Sequence, residues 1–148
     1  MTRVRAVGRV SGRLSLDGSL QQGAPGADDY ALRIGLVESG TRRLGWFQRL
    51  AAPSWVKRLF ALAPADTGIS RVQFLNVAES PGHVGSARQH PGSDLLYEHV
   101  VTAIDPEGRF AIDYTLERAT SVLALWLGSD GDDTSSTFSV TLERLELE

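Results

Sequence analysis

The sequence predicts a mainly β fold: an antiparallel β-sandwich interrupted by one pair of short helices. Three observations lead there. Apolar residues recur at every second position in most segments, the period of a strand with one buried face. Clusters of Gly, Pro, Asp and Ser separate these segments. Helical periodicity is confined to residues 41–64, so the strand–helix–strand rhythm of a parallel α/β fold is missing and about seven strands linked by turns remain.

The first strand is predicted over residues 3–10, where Val4, Ala6, Gly8 and Val10 alternate with Arg3, Arg5 and Arg9. A turn-rich loop over 17–29 ends at Asp28 and Asp29. Tyr30, Leu32, Ile34 and Leu36 then alternate with Ala31, Arg33, Gly35 and Val37, a strand expected to stop at Glu38-Ser39-Gly40.

Residues 41–64 follow as the helical insertion. Pro53 has no N–H to donate and fixes its own φ, so two helices are expected, 44–51 and 54–62. In the second, Trp55, Val56, Leu59, Phe60 and Ala63 gather on one face and leave Lys57 and Arg58 on the other.

Beyond the insertion, residues 69–78 place Val72, Phe74 and Asn76 on one side and Gln73, Leu75 and Val77 on the other, which predicts a central strand covered on both faces. Residues 79–94 lack apolar periodicity and are expected to be a long loop. A strand over 95–104 carries Tyr97, His99, Val101 and Ala103 on one face. Asp105-Pro106-Glu107-Gly108 is a tight-turn sequence, from which a hairpin is expected to return through Phe110, Ile112 and Tyr114. Residues 121–127, SVLALWL, are apolar on both faces and predict the deepest strand, with Trp126 in the core. Last comes a strand over 137–147, whose apolar parity switches near Glu143 and so predicts a β-bulge.

With 148 residues, 42% of them hydrophobic and 22% charged, the chain has the size and composition of a single domain, 1–148, that needs no staple. It has no cysteine, which excludes disulfides, thiolate catalysis and Cys-ligated zinc. No secretion-type apolar core or membrane-spanning run occurs, so a non-exported, cytoplasmic chain is the expectation.

Charge is distributed unevenly. Arg42, Arg43, Arg49, Lys57 and Arg58 lie in a stretch without acids, interleaved with Trp46, Phe47, Leu50, Trp55, Leu59 and Phe60. Because the whole chain stands at −3, these five cations leave −8 on the rest. The acidic balance argues against nucleic acid as a partner. The basic aromatic insertion suits either of two roles: a cap on the sandwich, or a docking site for a protein partner or an anionic membrane surface.

For chemistry, Asp130, Asp132 and Asp133 with Thr134 form an acidic turn that offers hard oxygen ligands. An EF-hand is excluded, since Ser135 and Thr141 stand where that loop requires Gly and Glu. A solvated loop is the alternative. Asp28 and Asp29 read either as a turn or as part of a binding network, expected to pair with an arginine such as Arg33 because buried acids need answering. His83, His90 and His99 with Asp94 and Ser80, Ser86 or Ser93 have no spacing that signals zinc or a hydrolase, and no nucleophile elbow or phosphate-binding loop occurs. No cofactor or metal is expected, nor any catalytic set. Among the aromatic rings, Tyr30, Trp46, Trp55 and Tyr97 are the ones expected to be free to stack on a sugar.

Three segments, GADDYALRIGLV, RVQFLNVAESPGHVGS and ATSVLALWLGSDGDDTSSTFSVTLERLEL, occur in an order that resembles a bacterial family known as domain of unknown function 3047. The matching residues are Asp28, Asp29, Tyr30, Ala31 and Arg33, then Pro81, Gly82, Val84 and Gly85, then Asp130, Asp132, Asp133 and Thr134. The chain resembles the later two-thirds of a member, with a larger insertion at 41–64. The resemblance implies a galactose-binding-like jelly roll, a fold shared with carbohydrate-binding modules. The expectation is therefore a non-catalytic binding module for a glycan, with Asp28, Asp29, Tyr30, Trp46, Trp55, Asp130, Asp132 and Asp133 as candidate ligand-binding residues. The rival expectation is an interaction surface on the basic helices, and a hydrolase ranks behind both.

Overall fold

The computed structural model describes residues 1–45 and 51–148. Its strands are β1 (Arg3–Ser11), β2 (Leu32–Gly40), β3 (Gly68–Ala78), β4 (Ala87–Gln89), β5 (Leu96–Ala103), β6 (Arg109–Thr115), β7 (Val122–Gly128) and β8 (Ser139–Leu147). Among the described residues, the helix α1 (Ser54–Ala61) stands between β2 and β3. The strands form a three-stranded sheet in the order β6-β1-β8 and a five-stranded sheet in the order β4-β5-β3-β2-β7. This mainly β arrangement is consistent with a sandwich.

The alternation read from the sequence is the alternation of burial. Val4, Ala6 and Val10 of β1 face Leu32, Ile34 and Leu36 of β2 and Leu75 and Val77 of β3, with Phe110 and Ile112 of β6 in the same core. A second cluster lies on the outer face of the larger sheet, where Val37, Val72 and Phe74 meet Leu59 of α1. Covering both faces of β2 and β3 explains their nearly continuous apolar runs. On α1, Val56 and Leu59 are buried while Lys57 and Arg58 are exposed, as the periodicity predicts. The expected helix at 44–51 falls largely outside the described residues, as do Trp46 and Arg49.

The bulge stands at Glu143. Val7 of β1 is opposite Arg144 and Gly8 is opposite Leu142, which leaves Glu143 as the extra residue. Gly108 closes the predicted turn, donating its N–H to Asp105 O at 3.0 Å with φ at +81°, where a side chain would be strained.

The structure corrects four expectations. First, the pairing is not wholly antiparallel, since β5 runs parallel to β3. The long connection between them brings the chain back to the other end of the sheet, as a parallel pair demands. Second, that connection is not a featureless loop: it holds a short 3-10 turn at Pro81–His83 and the edge strand β4. Third, the turn at 105–108 does not make a hairpin, because β5 belongs to the larger sheet and β6 pairs with β1 in the smaller one.

The fourth correction concerns the strand expected to be deepest. Among the described residues β7 lies at an edge, paired only with β2, and its Trp126 and Leu127 are 36% and 52% exposed. Its two faces are apolar because one meets the core and the other lies near α1, where the Trp55 and Trp126 rings meet edge to face at 6.1 Å. An open edge leaves no mark on the face pattern, so periodicity could not reveal it.

Candidate functional site

On β3 the inward row continues from Val77 and Leu75 to Gln73 and Arg71, so the floor between the sheets turns from apolar to polar toward one end. Because β5 is parallel and in register, with Tyr97 opposite Gln73 and His99 opposite Leu75, it brings two more polar rings to that end. β4 adds Gln89, and the connection from β6 to β7 closes the space with Glu117, Arg118 and Thr120. The result is a cleft of about 290 Å³.

Its floor is a chain of hydrogen bonds. Glu38, buried at the end of the inward row of β2, accepts from Arg71 Nε at 2.9 Å. Arg71 donates to Gln73 Oε1 at 3.3 Å, and Gln73 Nε2 donates to the Tyr114 hydroxyl at 3.2 Å. The hydroxyl thus has its own proton left for His99 Nδ1, 3.3 Å away. That order leaves the His99 proton on Nε2. Burial also holds the His99 pKa below its usual value, so the imidazole is neutral at pH 7. The Arg71 guanidinium lies 5.4 Å from the centre of the Tyr97 ring, which fixes both planar groups. Four of these residues, Glu38, Arg71, Gln73 and Tyr114, are not among the site residues expected from the sequence. The available signal was polar side chains at inward positions of otherwise apolar rows.

The outer face of the same sheet carries an ion network. Arg33 of β2 contacts the buried Glu98 of β5 at 2.5 Å and lies 3.4 Å from Asp28. Arg88 of β4 reaches Glu98 at 2.7 Å and Asp28 at 3.2 Å, while His90 Nε2 is 3.2 Å from Asp28. Arg33 also lies over the Tyr30 ring at 4.6 Å. The pairing of Asp28 with an arginine is therefore as expected. Tyr30 is only 2% exposed and offers no face to a ligand.

Asp29 is answered differently. Thr134 donates to its Oδ2 through both N–H, at 2.7 Å, and hydroxyl, at 2.6 Å, and the Asp133 N–H reaches Oδ1 at 3.4 Å. In return Asp133 accepts from the N–H groups of Gly26 and Asp28, each at 3.2 Å. The two acidic places thus knot the β1–β2 and β7–β8 connections together.

Among the described residues, two sets of side chains bring ligand atoms within 4.8 Å of one another: Asp28, His90 and Glu98, and Asp29, Asp130 and Asp132. In the first, Arg33 and Arg88 already balance the carboxylates. In the second, burial and then the hydrogen bond and charge of Asp132 raise the Asp130 pKa. Of the basic residues, Arg42 makes a two-point contact with Asp94 at 2.9 and 3.1 Å, and Arg43 is exposed. Trp55 is half-buried against Trp126, so α1 turns its apolar side to the sheet. No helix among the described residues is long and apolar enough to cross a membrane.

No family model, curated protein or solved structure matches the chain.

Proposed function

We propose that the protein is a non-catalytic binding module that holds a glycan, or the end of one, in the cleft between the sheets. The observation that carries the reading is the cleft lining: Arg71, Gln73, Gln89, His99, Glu117 and Arg118 around the Tyr97 ring. Planar amides, guanidinium groups and a neutral imidazole supply donors and acceptors in the plane of sugar hydroxyls, and an aromatic edge or face takes the C–H surface. Preorganisation favours the same reading, because the chain from Glu38 to His99 holds these groups before any ligand arrives. Against a hydrolase, no serine side chain is hydrogen-bonded to a histidine ring among the described residues, and His99 is engaged by a tyrosine. The galactose-binding-like jelly roll belongs to this proposal, supported by the residue resemblance and by the two-sheet architecture.

A glycan array followed by calorimetric titration tests the reading. Wild-type protein is expected to bind at least one glycan, and Tyr97→Ala and Arg118→Ala to weaken that binding at least about tenfold, or 1.4 kcal/mol, without loss of fold. Folded wild-type protein that binds no glycan overturns it.

A further inference from the structure

We propose that β7 is a dimerisation edge: a second copy of the chain adds its own β7 in antiparallel register, joining the two five-stranded sheets into one. The first reason is the composition of the edges. Edge strands normally carry charges, prolines or extreme shortness, because an open row of N–H and C=O groups recruits other strands. Here β4 has three residues and includes Arg88, β6 includes Arg109 and Asp113, and β8 includes Glu143, Arg144 and Glu146. β7, VLALWLG, has no charge and no proline over its 7 residues. Among the described edge strands, only β7 lacks charge, proline and shortness together; its one irregularity is a bulge at Leu123, since Val37 is opposite Ala124 and Glu38 is opposite Val122, and residues 124–128 continue in regular register.

The second reason is the space on either side of that edge. Toward α1 a groove of about 690 Å³ is lined by Trp55, Leu59, Leu62, Trp126 and Leu127. A second hollow along this edge, of about 570 Å³, is lined by Val122, Leu125 and Leu147, and also by Thr120, Ser121 and Glu148. An added strand sends alternate side chains to opposite faces, so a strand placed here must be apolar on both. It must also be uncharged, to match the edge it meets. β7 itself meets both requirements, and a twofold axis satisfies two edges at once. Centred on Leu125, the antiparallel register sets Trp126 opposite Ala124, large beside small on the face toward α1.

Sedimentation equilibrium over a range of concentrations, with hydrogen exchange read at the β7 amides, tests the proposal. Wild-type protein is expected to dimerise in the micromolar range with β7 amides protected. Leu127→Lys is expected to weaken the dimer at least tenfold and expose those amides, and Leu127→Thr, which keeps β propensity, to weaken it by less. Val84→Lys, at a position 45% exposed outside β7, is expected to leave the dimer intact. Protein that stays monomeric to about 100 µM overturns the proposal, whether its β7 amides exchange freely or are covered by another segment. A dimer indifferent to both Leu127 variants overturns it too.

Discussion

Asp29 is a fully buried carboxylate whose oxygens are met by two N–H groups and one hydroxyl and, among the described residues, by no arginine. Backbone donors fixed by the β7–β8 connection answer its charge without the rotamer cost of a long cationic side chain. The sequence foresaw that Asp28 and Asp29 would need partners but could not divide the work between them. One residue apart in the chain, the two acids have different neighbours: Asp28 meets Arg33, Arg88 and His90, and Asp29 meets Thr134. Truncation shows the consequence. Asp29→Ala strands the Thr134 donors, and the expected loss in a urea unfolding experiment is about 3 kcal/mol, the scale of losing charged hydrogen bonds in a buried site. A loss within about 0.5 kcal/mol, typical of a surface position, would show that the knot contributes nothing.

Among the elements, α1 depends most on its contacts for existing at all. A helix of 8 residues is too short to be stable alone, and no side chain caps its start at Pro53. Its stability must come from burying Val56 and from packing Leu59 against Val37, Ile69, Val72 and Phe74. Leu59→Ala is therefore expected to cost about 2 to 5 kcal/mol. It should also shift tryptophan fluorescence to longer wavelength, since Trp55 and Trp126 pack edge to face beside that contact. Gly35 on β2 belongs to the same layer. A Cβ there would lie 2.7 Å from the Phe74 ring, so glycine is what lets Phe74 and Trp126 meet across the strand at 5.6 Å.

For the whole molecule, proton linkage sets the response to acid. His99 is held below its ordinary value by burial, so the unfolded chain takes up a proton before the folded one does. Its effect is absent above the unfolded pKa of about 6.5 and becomes a growing loss of stability as pH falls below that. The exposed carboxylates act in the same sense at lower pH. The Arg42 side chain lowers Asp94, the Arg109 N–H lowers Asp105 and the Arg3 side chain lowers Asp113, so their contributions fade as pH falls through the folded pKa values. Asp130 opposes them, since its raised pKa costs stability above its unfolded value. The thermal midpoint is expected to fall between pH 7 and pH 5, and His99→Gln to flatten that slope. An unchanged slope in the variant would assign the acid response to other groups.

By itself the sequence determined what depends on neighbours along the chain. The alternation in β1, β2 and β3, the turn at Gly108, the parity switch at Glu143 and the two faces of α1 are local patterns, set by strand and helix period and by the φ a turn requires. Tertiary structure alone decided which strands meet. The parallel pairing of β5 with β3 collects Gln73, Tyr97 and His99 into one cleft, and placement at an edge leaves β7 open although both its faces are apolar. A side-chain pattern records which way residues point from their own strand. It carries no record of the strand lying alongside, because that partner is chosen by hydrogen bonds between main chains and by packing between residues far apart in sequence.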